Sequence, residues 1–389
     1  MSATLTQKSS TITTGFAIFS MLFGAGNIVF ALAIGQYAQD KNLFAILGLL
    51  ITAVGVPLLG LVAMALFNGD YKDFFNRIGK VPGFALTIII MGLIGCFGAI
   101  PRCIALSYST SKMYLPDFVS LPVFAAIACC FIFLCTYRPT NLLKILGYIL
   151  TPLKLGSLTF IIIIGLLYAP EAPVALHDGT SVFFKGLKDG YLTMDLLATF
   201  FFCSVVLKCL KQTIDVSDPA NYKLLIKTTL KASFIGAGLL AVIYVGFSYV
   251  SAAHSGSLEG ISPADLISNI AIRVLGPYAG LIVSFTVTMA CLTTAIALST
   301  VFAEFIHKDL AKNKISYISA LLISLLATYF MSTLNFGGIM AFLAPVLQIC
   351  YPALITLCCV NILNKLYDFS YIKLPVFTVF AGSLVLYFI

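Results

Sequence analysis

Apolar runs of about 18 residues or more recur from one end of this chain to the other, and each is long enough to cross a bilayer as a helix. The composition leaves no other use for them. Only 10% of the residues are charged and 60% are hydrophobic, whereas a soluble domain carries about 25% charged residues. Too few polar side chains remain to coat a surface in water. In lipid, every backbone N–H and C=O must find its partner inside the protein, so a chain of this kind forms a helical bundle. The expected fold class is therefore an all-α polytopic membrane protein, a single transmembrane domain over residues 1–389. The start, "MSATLTQKSS", is polar with a single Lys8, and the apolar run after it ends without a small-residue cleavage site. It is expected to stay as the first span rather than act as a signal peptide.

Eleven spans are expected, at about 12–38, 43–67, 82–111, 121–137, 142–168, 190–210, 224–252, 277–306, 315–332, 336–362 and 372–388. With the N-terminus inside, the loops after even-numbered spans face the cytoplasm. Those loops and the N-terminus then carry sixteen basic residues, among them Lys8, Lys72, Arg77, Arg138, Lys144 and Lys308. The other face carries five: Lys41, Lys112, Lys185, Lys188 and Arg273. This bias follows the positive-inside rule, so the formal charge of +8 speaks of orientation rather than of nucleic acid. The outer loop 169–189 is polar, with Glu171, His177 and Asp178. In the outer loop 253–276, Ser262, Pro263 and Gly276 bound a short helix whose Leu266, Ile270 and Leu275 lie over the outer face. Inside, "GDYKDFFNRIG" reads as a short amphipathic surface helix.

Span one contains Gly24-Ala25-Gly26-Asn27 at its middle. One reading is packing, since small residues let membrane helices approach closely. The other is unwinding. Glycine costs a helix interior about 1 kcal/mol relative to alanine, and Asn27 adds a polar group that hydrocarbon does not satisfy. Unwound backbone inside a membrane survives where it is buried in protein or faces a cavity. There the N–H groups of the second half-helix suit an anion such as an amino acid carboxylate, and the carbonyls ending the first half suit a cation.

These residues carry a resemblance. "GFAIFSMLFGAGNIVFALAIGQYA" resembles the first span of bacterial branched-chain amino acid:cation symporters, part of the amino acid-polyamine-organocation superfamily. The likeness continues in order through "IGKVPG", "IPRCIALSYS", "GYLTMDLLATFFF", "ACLTTAIALSTVFAEF" and "PVLQICYPALI". It implies a LeuT-type fold of 5+5 inverted repeats, about 12–168 and 190–362, with one extra helix at 372–388. It also implies import of leucine, isoleucine and valine through the bacterial inner membrane, by symport with sodium. Three departures stand out. The family reads Phe-Pro-Pro where this chain has Phe30-Ala31-Leu32, commonly has Glu at the position of Ser109, and tends to have a twelfth span.

The remaining polar groups in the spans are few. Thr193 and Asp195 stand near the outer end of span six as delimited above. Asp195 either sits in interfacial water or holds the substrate ammonium or a coupling ion. Gly24, Ala25, Gly26, Asn27, Thr193 and Asp195 make up the expected substrate site, with Phe200 closing over it and Phe201 and Phe202 as its alternatives. Thr293 and Thr294 lie mid-way along span eight, above Ser299 and Thr300. Such hydroxyls either bond to the preceding turn or bind a hard cation. The fold resemblance adds carbonyls of Ser20, Phe23 and Ala290 to complete a sodium site, with a proton as the other possible coupling ion and no organic cofactor. Arg102 in span three reads as a structural ion pair or gate, and Lys154 either snorkels to the cytoplasm or takes an ion-like position. Glu304 and His307 read as a solvated face or an inner gate.

An enzyme is not expected. The three histidines, His177, His254 and His307, lie in loops or at a span end, with no HExxH or Ser/His/Asp arrangement, and there is no P-loop. The eleven cysteines form no CxxC pair, so neither disulfide nor sulfur-built metal site is expected. A proton-coupled or differently selective neutral amino acid carrier remains the alternative function.

Overall fold

The computed structural model describes residues 2–137, 142–211 and 219–388. Arg138 lies outside the described residues, as do the side chains of Lys8, Lys144 and Leu275. Span one is two helices, α1 (Ser2–Leu22) and α2 (Ala25–Ala38), and Gly24 between them is extended. Span two is α3 (Asn42–Leu50) and α4 (Val56–Leu66), joined by a π-helical turn at Ile51–Gly55. The surface helix is α5 (Tyr71–Asn76). Asp70 caps it by accepting from the N–H groups of Lys72 and Asp73, and Phe74 and Phe75 point into the protein.

Span three, read from the sequence as one rod, is also divided, into α6 (Lys80–Ile94) and α7 (Ala99–Ser111), around Gly95-Cys96-Phe97-Gly98. Spans four and five are α8 (Leu121–Thr136) and α9 (Leu142–Leu167). Span six is α10 (Gly179–Leu192) and α11 (Asp195–Lys211), bent by 41° at the junction. It therefore begins at Gly179, inside what reads as an outer loop, because the polar face of α10 hides the span in a hydropathy reading. Span seven is α12 (Pro219–Ala253), followed by the outer helix α13 (Leu266–Leu275). Spans eight to eleven are α14 (Pro277–Phe305), α15 (Tyr317–Ser332), α16 (Asn335–Tyr367) and α17 (Lys373–Phe388).

Length and apolarity alone qualify five continuous helical stretches among the described residues, and the bent pair in span six makes a sixth. Short apolar helices supply the rest: Thr11–Leu22, Leu121–Thr136, Lys154–Leu167, Tyr317–Ser332 and Lys373–Phe388. The alternation of faces follows from contacts between loops. On one face Asp40 accepts from the N–H of Ala175, Tyr37 stacks on His177 at 4.4 Å, Gln36 reaches the carbonyl of Leu258, and Ser109 bonds Asp265. On the other, Tyr71 and Lys72 bond Asp309, Arg77 bonds Asn364, and Tyr317 reaches Thr136. Loops after odd-numbered spans meet one another, and so do those after even-numbered spans. Ser109 thus ties span three to the outer loop. In that loop Gly276 ends α13 with φ +80, and Leu266 and Ile270 are buried.

Spans one and six are held by different neighbours. Both α1 and α2 pack along α12, while α10 lies against α3 and α11 against α4. The α3–α10 contact is backbone to backbone. A Cβ on Gly48 would stand 2.2 Å from the Phe183 carbonyl, and one on Gly186 would stand 2.2 Å from the Ala45 carbonyl. Only glycines permit this approach.

Candidate functional site

The two breaks meet in the middle of the bundle. The N–H of Gly24 donates to Asn27 Oδ1 at 2.7 Å, so the carboxamide caps the helix that starts at its own break. The Nδ2 of Asn27 donates to Asp195 Oδ2 at 2.7 Å and to the Tyr244 hydroxyl at 2.6 Å. That hydroxyl donates in turn to Asp195 at 2.9 Å. All three side chains are buried. Asp195 is therefore not in interfacial water. Once α10 is counted in span six, Asp195 opens the second half-helix at membrane depth, where a carboxylate is paired or functional.

The break in span six is made without glycine. Leu192 ends α10, Thr193 bonds back to the Gly190 carbonyl at 2.9 Å, and Met194 takes the left-handed φ of +67. A methionine there is strained, and such strain clusters at functional sites. Arg102 secures the carbonyls freed at this point. Its Nη1 donates to Leu192 O at 2.5 Å and its Nη2 to Thr193 O at 3.0 Å. Its guanidinium also stands 5.9 Å from the Phe30 ring centre. Gly26 makes room for it: a Cβ there would lie 2.6 Å from Nη2. At Gly24, by contrast, a Cβ would meet only ordinary contact, 3.5 Å from Thr294.

A cavity of about 30 Å³ lies between the breaks. Gly24, Ala25, Asn27, Thr193, Asp195, Thr294 and Arg102 give its polar lining, with Met21, Ile94, Ala198, Phe202 and Leu298 among its apolar walls. Phe202, not Phe200, lines it. Phe200 faces away and packs with Phe74 and Phe75, at ring separations of 5.3 and 5.1 Å, because α11 presents successive residues to different neighbours. Tyr244 escaped the sequence reading. Its one signal was a hydroxyl amid an apolar span, which needs a partner when buried.

The residues named for sodium offer a poor fit. The Phe23 carbonyl accepts from Lys154 Nζ at 2.7 Å, and the ammonium lies 4.8 Å from the Phe23 ring centre. Lys154 is 2% exposed, so it takes the ion-like position and does not snorkel. Both Thr293 and Thr294 donate to the Ala290 carbonyl, at 2.8 and 3.2 Å. Of this pair only Thr294 lines the cavity, and Ser20 lies on the last turns of α1. A metal ion at Phe23 O would compete with the Lys154 amine for that carbonyl. Glu304 pairs with Lys308 on an exposed face, and His307 bonds the Ile315 carbonyl.

The family described as "Branched-chain amino acid transport protein" matches residues 7–387. This chain belongs to that family. It is 30% identical over 366 residues to the branched-chain amino acid permease BraB of Bacillus subtilis (strain 168), covering 92% of this chain and 80% of that one. To the permease BrnQ of the same organism it is 30% identical over 367 residues, covering 91% and 81%. Among solved structures, inward-facing Mhp1 superposes with a TM-score of 0.67 over 96% of this chain and 88% of that one, at 13% identity. Closed Mhp1, a nucleobase-cation-symport-1 family transporter with bromovinylhydantoin bound, gives 0.65 over 97% and 91%, at 12% identity. At such identity the likeness concerns the fold alone: a LeuT-type bundle of two five-helix repeats with one further helix. The family member described here is a multi-pass membrane transporter, not an enzyme.

Proposed function

We propose that this chain imports leucine, isoleucine and valine across a bacterial inner membrane, with its N-terminus in the cytoplasm, by alternating access about the paired breaks. The Asn27–Asp195–Tyr244 cluster carries the reading, since it joins both discontinuous helices beside a cavity with apolar walls. The two similar permeases from Bacillus subtilis support the substrate class. Walls built from Met21, Ile94, Ala198, Phe202 and Leu298 favour a branched aliphatic side chain, at about 0.8 kcal/mol per buried methylene. A polar side chain meets no partner on them.

For the coupling ion, the resemblance read in the sequence implies sodium with the proton as the alternative, and of the two we infer the proton. The bond from Lys154 to Phe23 O supports the proton. Two unit charges about 4 Å apart repel by about 4 kcal/mol at an effective dielectric constant of 20, so a sodium ion on the same carbonyl is disfavoured.

Labelled-leucine uptake into proteoliposomes tests both parts. Uptake competed by isoleucine and valine, and not by serine or aspartate, is expected. It should persist when choline replaces sodium and fall when a protonophore is added. Failure of any branched-chain amino acid to compete would remove the substrate assignment, and loss of uptake in choline would restore sodium.

A further inference from the structure

Arg102 is a buried charge without a counter-charge. It is 4% exposed, and among the described residues no carboxylate lies within ion-pair distance of it. Its two bonded nitrogens meet carbonyl oxygens of Leu192 and Thr193, and Nη1 also approaches Met340 Sδ at 3.7 Å. Its Nε is buried and has no partner among the described residues. Burying a cation on dipoles alone is costly, and an unmade hydrogen bond adds to the cost.

Among the described residues the other formally charged side chain lining the same cavity is Asp195, whose Oδ2 takes hydrogen bonds from Asn27 and Tyr244. The cavity thus presents a guanidinium and a carboxyl group, the mirror image of a zwitterion. In a guanidinium, Nε and Nη2 share an edge, and the paired N–H groups of such an edge can accept a carboxylate in bidentate fashion. Nη2 carries a second hydrogen beyond the one it gives to Thr193. The other candidate for an anion, the backbone at the span-one break, has the N–H of Gly24 already engaged by Asn27.

We propose that Arg102 binds the α-carboxylate of the transported amino acid, with Asp195 facing its α-ammonium. This assignment rests on the reading of the chain as an amino acid carrier. Because the same guanidinium holds Leu192 and Thr193, the arriving carboxylate pulls directly on the break in span six, which links occupancy to the movable helix.

The test is direct binding to the purified protein in detergent, using labelled leucine and its displacement by unlabelled leucine, leucinamide and 4-methylpentanoate. The wild type should prefer leucine over leucinamide by at least about 100-fold, as expected where a buried donor is left unpaired. Arg102→Gln should lose leucine affinity, and its leucine-to-leucinamide preference should collapse to within about tenfold. Arg102→Lys, which keeps the charge without the bidentate edge, should fall between the two. A role confined to bracing span six would lower binding of both ligands and leave their ratio unchanged. If wild type binds leucinamide as well as leucine, or if folded Arg102→Gln keeps the wild-type ratio, the assignment is overturned. Should the glutamine variant fail to fold, Arg102→Lys decides: a wild-type leucine-to-leucinamide ratio in that variant overturns the assignment. Wild type that binds no branched-chain amino acid at all would instead overturn the carrier reading on which the assignment rests.

Discussion

Asn27 joins three elements with one side chain: Oδ1 caps the start of α2, and Nδ2 bridges to Asp195 on α11 and Tyr244 on α12. No other residue type of that size offers an acceptor and two donors together. Asn27→Ala leaves the Gly24 N–H without this acceptor and removes a donor from Asp195. It is expected to cost about 1–2 kcal/mol of stability and to abolish uptake, checked by detergent melting and a leucine-uptake assay on the same preparation. Tyr244→Phe is the milder probe because it keeps the ring. It removes both the bond donated to Asp195 and the one accepted from Asn27; the bond to the charged group alone is worth about 1.5 kcal/mol, so the loss is at least roughly tenfold in substrate affinity. Retention of wild-type affinity would take Tyr244 out of the site.

At the scale of elements, three spans are interrupted near the cavity, and each break has its own chemistry. Span one breaks beside a capping asparagine, span three at a segment bounded by two glycines, and span six at a strained methionine. The first half of span six is positioned from outside the site, by the close crossing of α10 on α3. Gly186→Ala would drive a methyl against the Ala45 carbonyl, which cannot rotate away. Overpacking of this kind costs about 1–3 kcal/mol. The expected outcome is a lower melting temperature together with reduced leucine uptake, although residue 186 lies outside the cavity lining. Unchanged melting would show that the two helices part more easily than their packing implies.

For the molecule as a whole, closure is the dominant feature. A cavity of about 30 Å³ holds a water or two, far less than the several hundred Å³ usual for ligand pockets, so a leucine enters only when the surrounding helices part. On the face rich in basic residues, a latch joins α5 to the π-helical turn Ile306–Leu310 that follows α14: the Tyr71 hydroxyl donates to Asp309 at 2.8 Å, and Lys72 pairs with the same carboxylate. Asp309→Ala is expected to favour opening on this face, read as faster labelling of a cysteine introduced at Ala198 by a membrane-impermeant maleimide applied from that side. Burial, and then the bond to Asp309, raise the Tyr71 pKa above its ordinary value. The phenol therefore keeps its proton; its contribution to stability is complete below about pH 10 and is lost only as the pH rises through the raised value. Tyr71→Phe should accordingly change the labelling rate by the same factor at pH 6 and pH 8, a difference between the two pH values being evidence against this donor.

Sequence alone determined the membrane class, the order of the spans and the break at Gly24-Ala25-Gly26-Asn27, because hydropathy and glycine act locally and leave their mark in adjacent residues. The outer helix ending at Gly276 was legible for the same reason. Tertiary structure decided everything that depends on partners far apart in the chain. It set Asp195, buried at the junction of the two half-helices of span six, against Asn27, 168 positions away, and brought Tyr244 to both. It turned Phe202 rather than Phe200 toward the cavity, gave Arg102 the loose carbonyls of span six, and seated Lys154 on the Phe23 carbonyl. A buried polar group announces that it needs a partner, but which partner it finds is a property of how the helices pack.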